Sequence, residues 1–558
     1  MNVAEYIARF IEKKNISHVF GYQGGAILKM VEEMVATGSI SFVQNYHEQA
    51  SAFAADAFAR VTGNVGVAIA TSGPGATNMI TGIVNAQMDS IPVLFITGQD
   101  YLANVSAGNG ARQNGFQDLD IVSMVRPVTK YAAMVRDPNR IRYELEQAYF
   151  HARNGRPGAV LLDIPIDIQF MEVEEGTLEG YHPEHGVKDH APDLARIVSE
   201  LDSSKKPVIL VGGGVRLSNA VAEISEFAEK SQIPVITTLN GLDCVTGNMG
   251  FAGLHGNTGA NLAAMHADLI IVLGARLGNH HVGKNAEKYT RAKIIHVDID
   301  DMELGRIFPN EIKINSDLKR FITLMNGVLE EKKLPDYSAW RNKIAAWNDK
   351  YRGNVHINDK GLDPVAVIEA MLAEISSDAI FTNDVGQSQM WVAQAFRVKS
   401  GQRLLNSVGL GSMGFSLPAA IGAKIACPSR QVIAFMGDGG LQMNIQELML
   451  VGMRKMGIKC IVFNNGTLGK IREIQKRHYK ESYLGTNPID YQCVNLKLIA
   501  EAYGIGYKKI NTLEEITTLG GRLRDPHPYL IEIPLHIDSK LSNRIDETSC
   551  FDAEASNA

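Results

Sequence analysis

The apolar run Val432-Ile433-Ala434-Phe435-Met436 closes on Gly437-Asp438-Gly439, and the next apolar run, Cys460-Ile461-Val462-Phe463, closes on Asn464-Asn465. Each run has the length of a buried strand. Between them, Gln442 to Lys455 sets Met443, Leu448, Val451 and Met453 among polar residues after a glycine-rich turn, which predicts one helix. Strand, helix, strand in this order places the two runs side by side and parallel. The carboxyl ends of strands in an open parallel sheet form its ligand crevice, so Asp438 and Asn465 are expected to face a common point.

The same alternation runs through the whole chain, which at 558 residues is too long for a single core. From Ala4 to about Gln169, helical runs such as Tyr6 to Lys14 alternate with strand-like ones such as Phe42-Val43 and Ala159-Val160-Leu161-Leu162. A second unit runs from about Asp193 to Leu329, with strands expected at Val208 to Val211, Val235-Ile236, Leu269 to Leu273 and Ile294 to Val297. A third covers roughly Leu362 to Ile537. The expected fold class is α/β, with three doubly wound parallel-sheet domains over residues 1–170, 190–330 and 360–538. The charged, glycine-rich stretch Glu172 to Asp189 and the polar stretch Glu330 to Asp359 read as linkers. The polar tail, residues 539–558, reads as partly disordered or as a cover for a site. The first and third units match in size and pattern, which suggests a duplicated fold.

Composition narrows the function class. With 45% hydrophobic residues, 21% charged residues and a net charge of −6, the chain has no basic excess to attract nucleic acid or anionic lipid. Its first residues lack a basic and then apolar leader, and no apolar run approaches the length of a membrane span, so a cytoplasmic location is expected. Five scattered cysteines, Cys244, Cys427, Cys460, Cys493 and Cys550, suggest neither a disulfide framework nor a zinc site.

Asp438 and Asn465 offer oxygen ligands of the kind magnesium prefers, and the glycines beside Asp438 allow backbone to approach a diphosphate. The same residues would also suit a helix's first turn and an ordinary turn pair. Gly-Asp-Gly followed by 24 residues, 440 to 463, and then Asn-Asn resembles the thiamine diphosphate motif. Three further segments, Phe20-Gly21-Tyr22-Gln23-Gly24-Gly25-Ala26, His47-Glu48-Gln49-Ala50 and Thr71-Ser72-Gly73-Pro74-Gly75, resemble in order the pyrimidine-binding domain of the acetohydroxyacid (acetolactate) synthase family. The resemblance implies that Glu48 hydrogen-bonds the aminopyrimidine of thiamine diphosphate and so activates the cofactor. It further implies that Phe116 and Gln117 approach the substrate, and that Met413, in Gly409-Leu410-Gly411-Ser412-Met413-Gly414, wedges between the cofactor's rings. Gly24 and Gly73 would line the pyrimidine side. Val385, Gly386, Gln387, Ser388, Gly411, Gly437, Gly439 and Gly440 would hold the diphosphate, and Asp438, Asn465 and the Thr467 carbonyl would hold Mg2+.

In the second unit, Val211-Gly212-Gly213-Gly214, Gly274-Ala275-Arg276 and His296-Val297-Asp298 resemble the segments that hold FAD in acetohydroxyacid synthases and in glyoxylate carboligase. A structural FAD on Gly212, Gly213, Arg276 and Asp298 is the implied cofactor, with ADP or no nucleotide as alternatives. Because the aminopyrimidine and diphosphate domains that share a cofactor belong to different subunits in this family, a homodimer or homotetramer is implied.

The implied reaction is decarboxylation of a 2-keto acid, pyruvate, followed by addition to a second pyruvate to give 2-acetolactate and CO2. Several positions depart from the family pattern: Gln23 for Pro, Ile166 for Lys, His280 for an Arg that contacts the acceptor, Ser388 for His, Lys470 for Met and Ile474 for Trp. A histidine cannot fork around a carboxylate as arginine does. The alternatives are therefore an aldehyde or keto-sugar acceptor, simple decarboxylation, or a non-catalytic protein that kept the fold.

Overall fold

The alternation read from the sequence folds into three parallel sheets. In a computed structural model, which describes residues 1–105, 109–183, 192–283, 286–352 and 361–541, the first sheet comprises β1 (His18–Gly21), β2 (Ser41–Gln44), β3 (Gly66–Ala70), β4 (Val93–Gln99), β5 (Tyr131–Met134) and β6 (Ala159–Pro165), in the order β2-β1-β3-β4-β6-β5. The second comprises β7 (Pro207–Val211), β8 (Val235–Thr237), β9 (Leu269–Leu273), β10 (Lys293–Asp298) and β11 (Ile312–Asn315), in the order β11-β10-β9-β7-β8. The third comprises β12 (Ile380–Asn383), β13 (Arg403–Asn406), β14 (Val432–Gly437), β15 (Ile458–Asn464), β16 (Gly506–Lys509) and β17 (Tyr529–Pro534), in the order β13-β12-β14-β15-β17-β16. Numbered within each unit, the first and third sheets have one and the same strand order. The likeness suggested by size and pattern is thus a likeness of topology.

Burial explains the long apolar runs. Strands of a parallel sheet covered by helices on both faces meet apolar atoms on either side, so β4, β6, β7 and β9 are buried along their whole length. The first and third units share one core. The alanine-rich helix Glu48–Thr62 lies against the helix Ser416–Ala426, and Phe53 meets Phe415 edge to face at 5.5 Å. Small residues let the backbones touch: a Cβ on Gly422 would stand 2.1 Å from the Ala54 carbonyl oxygen. Backbone cannot yield as a side-chain tip can. Gly422→Val is therefore expected to destabilise the chain by about 3 kcal/mol, checked by urea denaturation.

Two segments differ from the sequence reading. The single helix expected over Gln442 to Lys455 starts earlier, at Asp438, and breaks at Asn444 into Asp438–Met443, a 3-10 turn Ile445–Glu447 and Leu448–Met453. The break has a polar cause. Asn444 donates to the Gly414 carbonyl at 2.8 Å and to the Gln49 amide oxygen at 3.1 Å, contacts that an uninterrupted helix would not aim. Within the stretch read as a polar linker, Ser338–Arg352 is a helix that buries Trp340, Ile344 and Trp347 against the central unit. Its apolar residues are few but large, so the mean polarity concealed the stripe.

Ser539 and Lys540 accept hydrogen bonds from Gln387 at 2.8 Å and Trp391 at 3.0 Å, and Leu541 joins the core of the third unit. The rest of the tail, with Cys550, lies outside the described residues, as do 184–189 and 353–359 of the two expected linkers. No described helix is long and apolar enough to cross a membrane.

Candidate active site

Strands β14 and β15 pair in register, Met436 with Val462 and Gly437 with Phe463, so the residues after them emerge together at the carboxyl edge of the sheet. Asp438 opens its helix there and is 5% exposed. Burial pushes its carboxyl up to about 6, against the opposing pull of the Gly439 and Gly466 amides and the Tyr491 hydroxyl. Its Oδ2 is buried and has no hydrogen-bond partner among the described residues. A buried carboxylate oxygen left bare costs on the order of 1–3 kcal/mol or more unless a ligand meets it. A divalent cation would meet it. Asn465 lies at the adjoining strand end with its Nδ2 3.3 Å from Gln387 Oε1, and Gly466, at φ +62°, turns the chain so that Thr467 follows directly. Among the described residues no group of three or more His, Cys, Asp or Glu side chains gathers as a metal site. One carboxylate, one amide oxygen and one backbone carbonyl suit a cation that takes its remaining ligands from phosphate and water, as magnesium does.

The glycines expected around a diphosphate divide into two sets. A Cβ placed on Gly437 or Gly411 would meet nothing within 4 Å, and one on Gly386 only the Ser388 hydroxyl at 4.0 Å, so these three border open space. Gly439 and Gly440 face protein instead. A Cβ on Gly440 would stand 2.8 Å from the Asp384 carboxyl carbon, and one on Gly439 would stand 2.7 Å from Leu468 and 3.4 Å from the Met413 tip. That last contact places Met413, half-buried, directly beside the Asp438 helix. Val385 and Gly386 follow β12, and the Val385 amide donates to Asp384 Oδ1. Ser388, expected to donate to a phosphate, instead gives its proton to the Asp384 carbonyl at 3.3 Å and is almost wholly buried.

Sequence reasoning assigned Asp384 no role, yet it organises this region. Its carboxylate accepts from the amides of Val385 at 2.9 Å, Gly414 at 2.9 Å and Ser416 at 3.0 Å, so one side chain ties the Val385-Gly386 turn to the segment that carries Met413. The signal that would have found it is its place at the very end of a strand in the same crevice.

Glu48 begins its helix behind the N-cap His47 and is 7% exposed. Asn78 donates to its Oε2 at 2.9 Å, and Oε1 lies 3.3 Å from where a Cβ on Gly75 would stand. Gln117, itself at φ +63°, packs against Gly73 at φ +59°, its Cβ within 2.8 Å of a Cβ built there. The loop Gly73-Pro74-Gly75 therefore brings Gln117 and Glu48 to one place. Phe116 next to it is 84% exposed. Gly24 is different: a Cβ there would strike Thr71 at 2.5 Å, so its smallness serves chain packing rather than ligand approach. The contacts of Glu48 fall in the first unit and those of Asp438 in the third.

Asn45 and Tyr46, which lead into Glu48, are held from the third unit. Glu447 accepts from Asn45 Nδ2 at 2.9 Å and from the Tyr46 amide at 2.8 Å, and burial pushes its carboxyl up to about 7. A separate cavity of about 750 Å³ opens where the three units meet, lined among others by Arg156, Gly213, Arg276, Asp298 and Gly409. His280 lines this cavity too. Gly212 packs rather than lines, since a Cβ there would stand 2.1 Å from the Gly274 carbonyl oxygen.

Comparison with known proteins agrees with this geometry unit by unit. The models of the thiamine pyrophosphate enzymes match residues 1–124 as the N-terminal TPP binding domain, 194–325 as the central domain and 384–533 as the C-terminal TPP binding domain. The acetolactate synthase large subunit of Lactococcus lactis subsp. lactis is 37% identical over 544 residues, which are 95% of this chain and 92% of that protein. The chain belongs to the acetolactate synthase large-subunit family. Another relative, the chloroplastic acetolactate synthase 2 of Nicotiana tabacum, is 36% identical over 549 residues, 95% of this chain and 81% of its own. The probable acetolactate synthase large subunit of Methanocaldococcus jannaschii is 35% identical over 556 residues, 96% and 92% of the two chains.

As a member of the acetolactate synthase family, the chain carries its departures in defined places. Lys470, at the start of the helix Gly469–His478, has its ammonium 2.6 Å from His255 Nε2 and 3.8 Å from Glu473. Leu277, which opens the divergent run to His281, takes the left-handed conformation at φ +52°, uncommon for a branched side chain.

Proposed function

We propose that this chain catalyses the condensation of two pyruvate molecules to 2-acetolactate and CO2, with thiamine diphosphate and Mg2+ at the Asp438 crevice. The observation that carries the reading is the bare, buried Oδ2 of Asp438 beside Asn465 and the open backbone of Gly386, Gly411 and Gly437, in a chain related to acetolactate synthases over nearly its full length. When bound, thiamine diphosphate supplies the nucleophilic carbon that attacks the keto group and takes up the electrons released as CO2 leaves. Asp438, the Asn465 amide oxygen and the Thr467 carbonyl hold the metal that neutralises the diphosphate. Met413, beside the Asp438 helix, would be the apolar wedge against the cofactor's rings. Glu48 supplies the acidic hydrogen bond to the aminopyrimidine, with Asn78 fixing its second oxygen. Gln117 and Phe116 would border the space where pyruvate enters, Phe116 with most of its ring exposed.

Two chains in a homodimer, or in a tetramer built from dimers, are proposed to complete each centre, Glu48 coming from one and Asp438 from the other, as the resemblance to the acetolactate synthase family implies. The exposed Met443 (54%) and Met453 (60%), on the segment that leaves the metal motif, support such a contact. In the cavity between the units we place FAD in a structural role. Asp298 would accept from a ribose hydroxyl, and Arg276, Arg156 and the Gly213 backbone would border the phosphates.

Two measurements test the reading. The purified chain, given pyruvate, thiamine diphosphate and Mg2+, is expected to form one acetolactate for each CO2 and to carry visible flavin absorption. CO2 release without acetolactate, rising on addition of an aldehyde or keto-sugar, would assign the acceptor role to those compounds. Absence of flavin bands in active protein would remove FAD from the account.

A further inference from the structure

The turn from Asn444 to Glu447, where the helix that begins at Asp438 breaks, closes from the third unit on the chain around Glu48. Glu447 is fully buried, and both of its carboxylate oxygens are used: Oε2 accepts from Asn45 Nδ2 at 2.9 Å and Oε1 from the Tyr46 amide at 2.8 Å. Asn444, equally buried, donates to the Gln49 side-chain oxygen at 3.1 Å and to the Gly414 carbonyl at 2.8 Å, and its own Oδ1 accepts from Gln446 at 3.1 Å. Residues three apart on a 3-10 turn lie on one side of it. Here the Glu447 amide closes the turn on the Asn444 carbonyl at 3.0 Å. A single turn thus grips Asn45 and Tyr46, just before Glu48, and Gln49, just after it.

Docking of the two units does not need these bonds. The helix Glu48–Thr62 already packs on Ser416–Ala426 through apolar side chains, and its far end is tied separately. There Arg60 donates to the Asn406 carbonyl at 3.1 Å, and Arg403 donates to the Arg60 carbonyl at 3.0 Å. A buried carboxylate is also a poor adhesive: burial pushes the Glu447 carboxyl up, and apolar side chains of like volume hold such an interface at least as well. What the bonds do fix is the path of the backbone through Glu48. Asn78 holds only the tip of the Glu48 side chain, at Oε2, and His47 caps the helix from within, so the turn is the support from outside. A displacement of about 1 Å in a reacting group costs on the order of 10²-fold in rate.

We propose that Glu447, together with Asn444, is a positioning residue for the reaction: the turn holds the chain at residues 45–49 so that the Glu48 carboxyl stands where the aminopyrimidine of thiamine diphosphate requires it. The proposal rests on the reading of Glu48 as the group that activates the cofactor. The test compares full-length wild type with Glu447→Leu, Glu447→Gln, Glu48→Gln and the double variant Glu48→Gln with Glu447→Leu. Each is measured for kcat and KM with pyruvate, for thiamine diphosphate affinity by calorimetric titration, and for the thermal midpoint without cofactor. The rate at which the bound cofactor exchanges its ionisable carbon-bound hydrogen for deuterium reports activation directly. Glu447→Leu is expected to lower kcat and the exchange rate together by about 10-fold to 100-fold. KM, cofactor affinity and thermal midpoint are expected to stay close to wild type. Glu447→Gln is expected to keep most of the rate. Its amide oxygen can take the Tyr46 amide, and its NH2 can donate to Asn45 Oδ1, which is buried without a hydrogen-bond partner among the described residues, once that side chain turns over. In the Glu48→Gln background the loss of Glu447 is expected to change the rate by less than about twofold, because nothing is left to position. Should Glu447→Leu fail to fold, Asn444→Ala carries the same expectation at about threefold to tenfold. A full further loss in the Glu48→Gln background would overturn the proposal. So would equal losses in Glu447→Leu and Glu447→Gln, or an unchanged exchange rate in Glu447→Leu. A Glu48→Gln chain as active as wild type would instead overturn the reading of Glu48 on which the proposal stands.

Discussion

Glu48→Gln is expected to lower acetolactate formation by about 10³-fold, equivalent to about 4 kcal/mol of barrier, while leaving thiamine diphosphate and Mg2+ binding close to wild type. The amide has nearly the carboxyl's size and can still pair with Asn78, so the helix Glu48–Thr62 keeps its place against Ser416–Ala426. What it lacks is the acidic hydrogen that the aminopyrimidine needs. Steady-state rates with pyruvate, together with cofactor titration of the same preparation, separate the two effects. A loss of cofactor affinity as large as the loss of rate would make Glu48 a binding group rather than an activating one.

The second large effect lies at Asp438. Asp438→Asn removes the only side-chain negative charge assigned to the cation and replaces it with an amide that offers one oxygen. Mg2+ affinity is expected to fall by at least about 10²-fold, with activity lost at ordinary metal concentrations. The substitution relieves a buried carboxyl whose ionisation burial already disfavours, so the metal-free chain is expected to be no less stable than wild type. Metal titration and thermal denaturation of the variant check both statements. Lower metal-free stability would mean that the carboxylate serves the fold as well as the site.

The sequence told most where a residue's neighbours along the chain determine its surroundings. Gly437 to Gly439 and Asn464-Asn465 stand at the ends of two apolar runs of strand length, and run length with parallel pairing suffices to bring them together. The same holds for Glu48, which lies between β2 and an alanine-rich helix. Sequence told less where a partner comes from far along the chain. No local pattern announces that Asp384 gathers the amides of Gly414 and Ser416, or that Glu447 holds the approach to Glu48.

Glycine was ambiguous for a different reason. A motif asks for the absence of a side chain without saying what fills the space, and at Gly24, Gly212 and Gly440 the answer is protein, while at Gly411 and Gly437 it is open space. Ser388 is a like case, since its hydroxyl can serve a phosphate or its own turn, and here it serves the turn. Average polarity hid the helix Ser338–Arg352, whose two tryptophans meet edge to face at 5.6 Å and carry its burial.

The central claim is that Glu48 of one chain and Asp438 of another together make one centre for acetolactate synthesis. It is tested most directly by mixing two inactive proteins, Glu48→Gln and Asp438→Asn, under conditions that let subunits exchange. A hybrid dimer pairs the intact Asp438 of one chain with the intact Glu48 of the other in one of its two centres. Random exchange is therefore expected to restore about a quarter of wild-type acetolactate formation from pyruvate. No recovery, in a mixture shown to contain hybrids, would mean that each chain builds its centre from its own residues and would contradict the account.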